Sequence, residues 1–457
     1  MNNNVKVYLS EQRDRQLEEL TEFLKIPSVS SLSEHTKDVE SCANWISNSL
    51  SEAGMQNVKV MPTKRHPVVY GEWLGAEGKP TVLIYGHYDV QPVDPLHLWE
   101  TPPFEPMIRD EKIYARGASD DKGQVFMHIK AIEAIMKTTD SLPVNVKFLI
   151  EGEEEIGSPN LPDFIEEHKE MLAADVLLIS DTALYAKGEP AICYALRGLA
   201  GVQIDVKGPK RDLHSGAFGG GVPNPAKQLV DLIASFHDDN FQIRVEGFYD
   251  KVRALTEEER EAYRALQFDE EKVKKDLELS ELVGEEGYTF LERVSGRPTL
   301  EINGIYGGFQ GEGIKTVIPA EAHAKITCRL VPNQDPDEII QLIEKHIQKN
   351  KPAGVEVTVT PFDKGHPFIT PFDHPAIQAA AKSYEEEYGV PTKFIREGGS
   401  IPIVAVFDQI LKTPVVLMGF GLESENIHSP NEHFHLENFD KGLAVICDYL
   451  FRLSDSL

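Results

Sequence analysis

Apolar residues recur at helical spacing over 10–25 and 38–54, and both stretches are expected to be helices. Further along, short apolar runs are bounded by turns: TVLIYGH (81–87), VNVKFLIEG (144–152) and VLLISD (176–181). Between the first two, KGQVFMHIKAIEAIMK (122–137) has the pattern of a helix. Uninterrupted apolar runs alternating with helices predict an α/β arrangement, a mixed sheet covered by helices on both faces.

The texture changes near residue 198. GVQIDVKGP (201–209), AEAHAKITCRLVP (320–332) and VEVTVTPF (355–362) alternate like half-exposed strands. NPAKQLVDLIASFH (224–237) and DEIIQLIEKHIQKN (337–350) read as helices, and the charge-dense stretch 250–295 reads as solvated helices. This order predicts a small two-layer α+β domain. After residue 370 the earlier pattern returns, with a helix over 374–389, an apolar run TPVVLMGFG (413–421) and a closing helix over 437–453. The expected organisation is one domain built from 1–197 and 367–457, with 198–366 inserted into it.

Composition narrows the partners. The formal net charge is −28 over 457 residues. That disfavours nucleic acid and anionic membranes, whose binding needs clustered Lys and Arg. No apolar run approaches the length of a membrane span. Cys42, Cys193, Cys328 and Cys447 are scattered with no CxxC, which argues against a disulfide scaffold or a cysteine zinc knuckle. The first residues carry no secretory h-region, so a cytoplasmic protein is expected.

The candidate chemistry lies where the apolar runs stop. TVLIYGH ends at His87-Tyr88-Asp89, VNVKFLIEG at Glu153-Glu154-Glu155, VLLISD at Asp181, and TPVVLMGFG is followed by His428. RGASDDKGQ (116–124) adds Asp120 and Asp121 just before a helix. Sites in α/β sheets form at the carboxyl ends of strands. Taken singly, each signal has an ordinary explanation: a His-x-Asp pair, a helix cap, a solvated glutamate run. Their joint placement points to metal binding. Imidazole and oxygen donors without thiolate suit zinc, manganese or cobalt. Several carboxylates suit two cations, about 3.5–4 Å apart, which one Asp can bridge.

At this point the sequence resembles the di-zinc peptidase family of carnosinase-type dipeptidases, aminoacylase and glutamate carboxypeptidase. The matching stretches are LIYGHYDVQP (83–92), RGASDDKGQ (116–124), EGEEEIGS (151–158), LLISD (177–181), LRGLAGVQIDV with DLHSG (196–206, 212–216), KTVIP (315–319), CRLVPN (328–333), REGGSIPI (396–403) and IHSPNE (427–432). HYDVQP, REGGSIPI and CRLVPN resemble the carnosinase-like branch most. The resemblance implies that His87, Asp120 and Asp181 hold one zinc and that Asp120, Glu155 and His428 hold the other. It implies that Glu154 is the general base, that Asp89 hydrogen-bonds His87, and that the Asp120–Asp121 peptide is cis. It also implies that the insert is a dimerising lid. His214 would reach the partner subunit's site, Arg329 would bind the substrate carboxylate, and Thr316, Gly399 and Ser400 would contact substrate.

The resulting expectation is a metal-dependent dipeptidase acting on short peptides with a free C-terminal carboxylate. It would carry two divalent ions per chain, zinc first, with manganese or cobalt as substitutes. The alternatives are an N-acyl amino acid deacylase or carboxypeptidase of the same family, and a metal-dependent binding protein without catalysis. A non-enzyme should have lost Glu154 or a ligand, and none is lost.

Overall fold

A computed structural model describes residues 3–399 and 401–457. The chain divides into two compact units: Met1–Tyr194, Thr370–Ile395 and Val406–Leu457 form one, and Ala195–Ile369 with Arg396–Ala405 form the other.

The first unit is organised on a mixed sheet. Its strands run in the order Gln56–Met61, Val68–Trp73, Asn145–Glu151, Thr81–His87, Val176–Ile179, Val415–Leu417, Ala191–Leu196. The strands from Asn145–Glu151 to Val415–Leu417 are parallel to one another, and antiparallel strands flank them. From Val82 to His87 every residue is buried, so side chains pointing to either face are covered, as the apolar runs require. The helix Lys122–Thr139 packs on the 81–87 strand, and the helices Asn3–Leu24 and Leu436–Ser456 pack on that helix. Thr36–Glu52 and Pro375–Tyr388 complete the cover.

Gly86 explains how close the helix start comes. A Cβ there would lie 2.4 Å from Val125 Cγ2 and 2.7 Å from Asp121 Oδ2. No side chain fits, and the 120–122 loop can therefore sit against the end of the strand. The His87 amide donates to Asp121 Oδ2 at 3.2 Å. The Asp120–Asp121 and Asp94–Pro95 peptide bonds are cis.

The second unit is a four-stranded antiparallel sheet in the order Thr299–Gly307, Glu321–Leu330, Gly198–Lys207, Glu356–Gly365. The helices Pro225–Ala234 and Pro336–Lys349 pack on it. Val202, Ile204 and Val206 alternate into a shared core with Ala324, Ile326, Cys328, Ile339, Ile343 and Ile347. The period-2 strands and the 3.6-period helix thus meet on one side of the sheet. Pro336 opens its helix, and the Asp335 side chain caps it by accepting from Glu338 N at 2.9 Å.

Some elements differ from expectation. The first helix begins at Asn3 rather than 10. The strand Thr299–Gly307 has no counterpart in the apolar pattern, because it is a mostly exposed edge with a register shift between Ile302 and Gly304. The stretch 250–295 holds only the short helices Glu257–Ala265 and Glu270–Asp276 and the first part of a π-turn, Glu292–Gly296. It is also less solvated than its charge suggests. Glu259 is buried and pairs with Arg253 and Arg396, and buried Glu292 lies 3.5 Å from Arg260. No described helix is long and apolar enough to cross a membrane. All four cysteines are buried, and none is joined in a disulfide.

Candidate metal centre and active site

His87 is the last residue of its strand and is fully buried. Its Nδ1 lies 3.1 Å from the Asp89 carbonyl oxygen and 3.5 Å from Asp89 Oδ1. Either oxygen can only accept, so Nδ1 carries a proton, and in the neutral imidazole the lone pair is on Nε2. That Nε2 is buried and makes no hydrogen bond. Around it stand Asp120 Oδ1 at 3.1 Å and Asp181 Oδ2 at 3.7 Å.

The second oxygen of Asp120 faces another imidazole. His428 Nε2 is 2.8 Å from Asp120 Oδ2 and 3.2 Å from Glu155 Oε2. Two donor groups result, His87–Asp120–Asp181 and Asp120–Glu155–His428, each with its ligand atoms within 4.8 Å of one another. Asp120 is common to both. An orphaned imidazole lone pair among carboxylate oxygens fits divalent cations, and the donor set of nitrogen and oxygen is that of zinc or manganese.

The electrostatics agree. Burial and then the neighbouring Asp120 charge raise Asp181 well above the usual carboxylate range. Burial raises Glu154 to about 7, with Glu155, Asp120 and Asp89 adding to the rise against His87. Hydrogen bonds to Asp120 and Glu155 lift His428 to about 10. Without a cation the cluster draws protons to offset its own negative charge.

The three consecutive glutamates separate by direction. Glu153 is buried and turned to structural partners: its carboxylate accepts from His66 N at 2.6 Å, Thr63 Oγ1 at 3.0 Å and Asn160 Nδ2 at 2.7 Å. Glu155 joins the donor group. Glu154 stands between them in a short 3-10 turn, Glu154–Ile156. The Asp89 carboxylate accepts from the amides of Glu154 at 3.2 Å and Glu155 at 3.1 Å. It therefore ties the His87 strand end to the glutamate turn, in addition to standing beside His87. Gln91 Nε2 donates to Glu155 Oε2 at 2.7 Å, a contact that sequence reasoning did not raise although Gln91 lies in the quoted HYDVQP.

The other expected residues lie in the second unit. His214 is exposed and pairs with Val317 in a two-residue ladder, and Ser215 N donates to the Thr316 carbonyl at 3.0 Å. His214 and Thr316 are thus brought side by side. His214 Nδ1 accepts from Gly216 N at 3.0 Å. Arg329 is on the strand Glu321–Leu330, opposite Leu199. The Gly399 carbonyl accepts from Arg197 N at 3.2 Å; Ser400 lies outside the described residues. Arg197 also went unassigned. Its Nε donates to the Gly398 carbonyl at 3.0 Å, and burial with the nearby Arg329 charge lowers it to about 10.

Comparison with known proteins adds the lineage. Residues 83–452 match the model of Peptidase family M20/M25/M40. The chain is 33% identical to the Cys-Gly metallodipeptidase dug1 of Schizosaccharomyces pombe, covering 98% of this chain and 97% of that protein. It is 34% identical to the human Beta-Ala-His dipeptidase over 85% of this chain and 78% of that protein. Among solved structures, the M20 family metallo-carboxypeptidase Sso-CP2 of Sulfolobus solfataricus superposes with a TM-score of 0.80 at 36% identity, over 96% of this chain and 99% of that one. The chain belongs to peptidase family M20/M25/M40 and is a peptidase of a kind that works with divalent metal ions.

Proposed function

We propose that the enzyme hydrolyses dipeptides and short peptides that end in a free carboxylate, using two divalent ions per chain, zinc in the first instance. The observation that carries this reading is the Asp120 carboxylate, one oxygen 3.1 Å from His87 Nε2 and the other 2.8 Å from His428 Nε2. His87, Asp120 and Asp181 would hold one ion, and Asp120, Glu155 and His428 the other. When bound, such a pair supplies Lewis-acid polarisation of the scissile carbonyl and makes water acidic enough to attack near neutral pH.

The chain's own residues supply the rest. Glu154 takes the proton of the attacking water on its carboxylate and returns it to the departing amine. Asp89 keeps the proton on His87 Nδ1 and fixes the Glu154–Glu155 backbone by its two accepted amides. In the second unit, Arg329 reads the substrate carboxylate as a planar two-donor fork. His214, Thr316, Gly399 and Ser400 contact the substrate. The unit serves as lid and dimerisation domain, and His214 acts in the site of a partner subunit, in a cytoplasmic homodimer. The named substrates of relatives, Cys-Gly and Beta-Ala-His, are the first to try.

A second reading has its own support, since a carboxypeptidase is 36% identical to this chain. The same apparatus can cut a longer peptide or an N-acyl amino acid next to a carboxylate. One panel separates these: apo and zinc-loaded enzyme on dipeptides, longer peptides and N-acetyl amino acids. Zinc-dependent turnover concentrated in the dipeptides supports the dipeptidase reading. Turnover concentrated in longer peptides or N-acetyl amino acids moves the assignment to the second reading, and none in any class moves it to a binding protein.

A further inference from the structure

Residues 115–121 lie between the short strand Lys112–Tyr114 and the helix Lys122–Thr139, outside any strand ladder. Several of their amides converge instead on one side chain. Glu432 is fully buried. Its Oε2 accepts from Gly117 N at 2.9 Å and from the Arg116 guanidinium at 2.7 Å. Its Oε1 accepts from Ser119 N at 3.0 Å and from Asp120 N at 3.1 Å. One carboxylate therefore fixes the backbone at Asp120 and at two of the three residues before it.

The segment carrying Glu432 also carries His428. Glu425, buried on the same segment, accepts from Ser119 Oγ at 2.6 Å and holds its own chain through Leu422 N at 2.9 Å and His435 Nδ1 at 2.7 Å. The two glutamates flank His428 in sequence, and both grip the loop that ends in Asp120. We infer that Glu432 is a positioning residue, bracing the Asp120 loop against the His428 segment so that one carboxylate faces both imidazoles before any ion arrives. Arg116, itself buried, balances the Glu432 charge. The brace thus acts through backbone geometry rather than through its field.

The inference rests on the proposed reading of Asp120 and His428 as ligands, and its test measures ion binding rather than turnover. Apo protein is titrated with zinc against a chromophoric chelator, and the cobalt-loaded absorption spectrum is recorded. In Glu432→Gln an amide NH₂ replaces one acceptor oxygen. Zinc affinity should fall about 10–100-fold, the range for residues that orient metal ligands, and the cobalt bands should shift. Ile46→Ala, a core truncation in the same unit, should lower stability and leave affinity and spectrum unchanged. If Glu432→Gln does not fold, Arg116→Met/Glu432→Gln removes the unpaired buried cation and carries the same expectation. Wild-type protein binding two ions, with a folded variant binding them as tightly, overturns the brace alone. Wild-type protein that binds no ion overturns the ligand reading and the brace with it.

Discussion

His87 and His428 both aim an Nε2 at Asp120, and the chain positions them by opposite means. His87 ends a strand held between two parallel neighbours, is wholly buried, and has its Nδ1 tied to residue 89. His428 sits in a loop with φ +58°, and its side chain is 51% exposed. Sheet geometry sets the first imidazole at almost no cost to the loops. The second needs the buried glutamates around it to hold a loop in place. On the proposed ligand assignment, the His87 site should bind its ion more tightly and exchange it more slowly than the His428 site.

The largest effect expected is at the shared carboxylate. Asp120→Ala should reduce bound metal below one ion per chain by elemental analysis and take hydrolysis to background; retention of two ions would remove Asp120 from the bridge. Next comes Glu154→Gln, which keeps the shape and loses the proton acceptor. Turnover should fall by at least about 10²–10⁴ with both ions retained. Loss of an ion there, with none lost in Glu155→Gln, would exchange the roles of the two glutamates.

His428→Ala tests the asymmetry itself. It should lose one ion and keep a tightly held second, whereas His87→Ala should impair both sites because it opens the buried side of the cluster. Equal losses in the two variants would break the comparison. Arg329→Ala should raise KM for free-acid peptides far more than for C-terminal amides, as read from paired steady-state kinetics. The smallest effect is a control on independence. Ile204→Val, in the core of the second unit, should cost about 0.5–1.5 kcal/mol in urea unfolding and leave the ion count at its wild-type value.

Most of the proposed ligand positions are legible because apolar runs stop at or just before them. His87 ends a strand, and Asp181 and the glutamates each come just after one. His428 was harder to single out with His433 and His435 close by. Their Nδ1 atoms are engaged elsewhere, His433 with the Asn431 carbonyl at 3.0 Å and His435 with Glu425 at 2.7 Å. What stayed hidden were contacts between residues distant in sequence. Nothing local in Glu432 announces its hold on the Asp120 amide, 312 residues away. Charge density misled over 250–295 for the same reason, since Arg396, which neutralises buried Glu259, is 137 residues distant. The edge strand Thr299–Gly307 escaped because an exposed strand has no face that must be apolar.

The most direct measurement follows zinc stoichiometry and dipeptide hydrolysis together as apo enzyme is titrated. Activity on Cys-Gly should develop with the second equivalent and saturate at two ions per chain. Full activity at one firmly bound ion, with no further gain, would contradict a centre built around a shared Asp120.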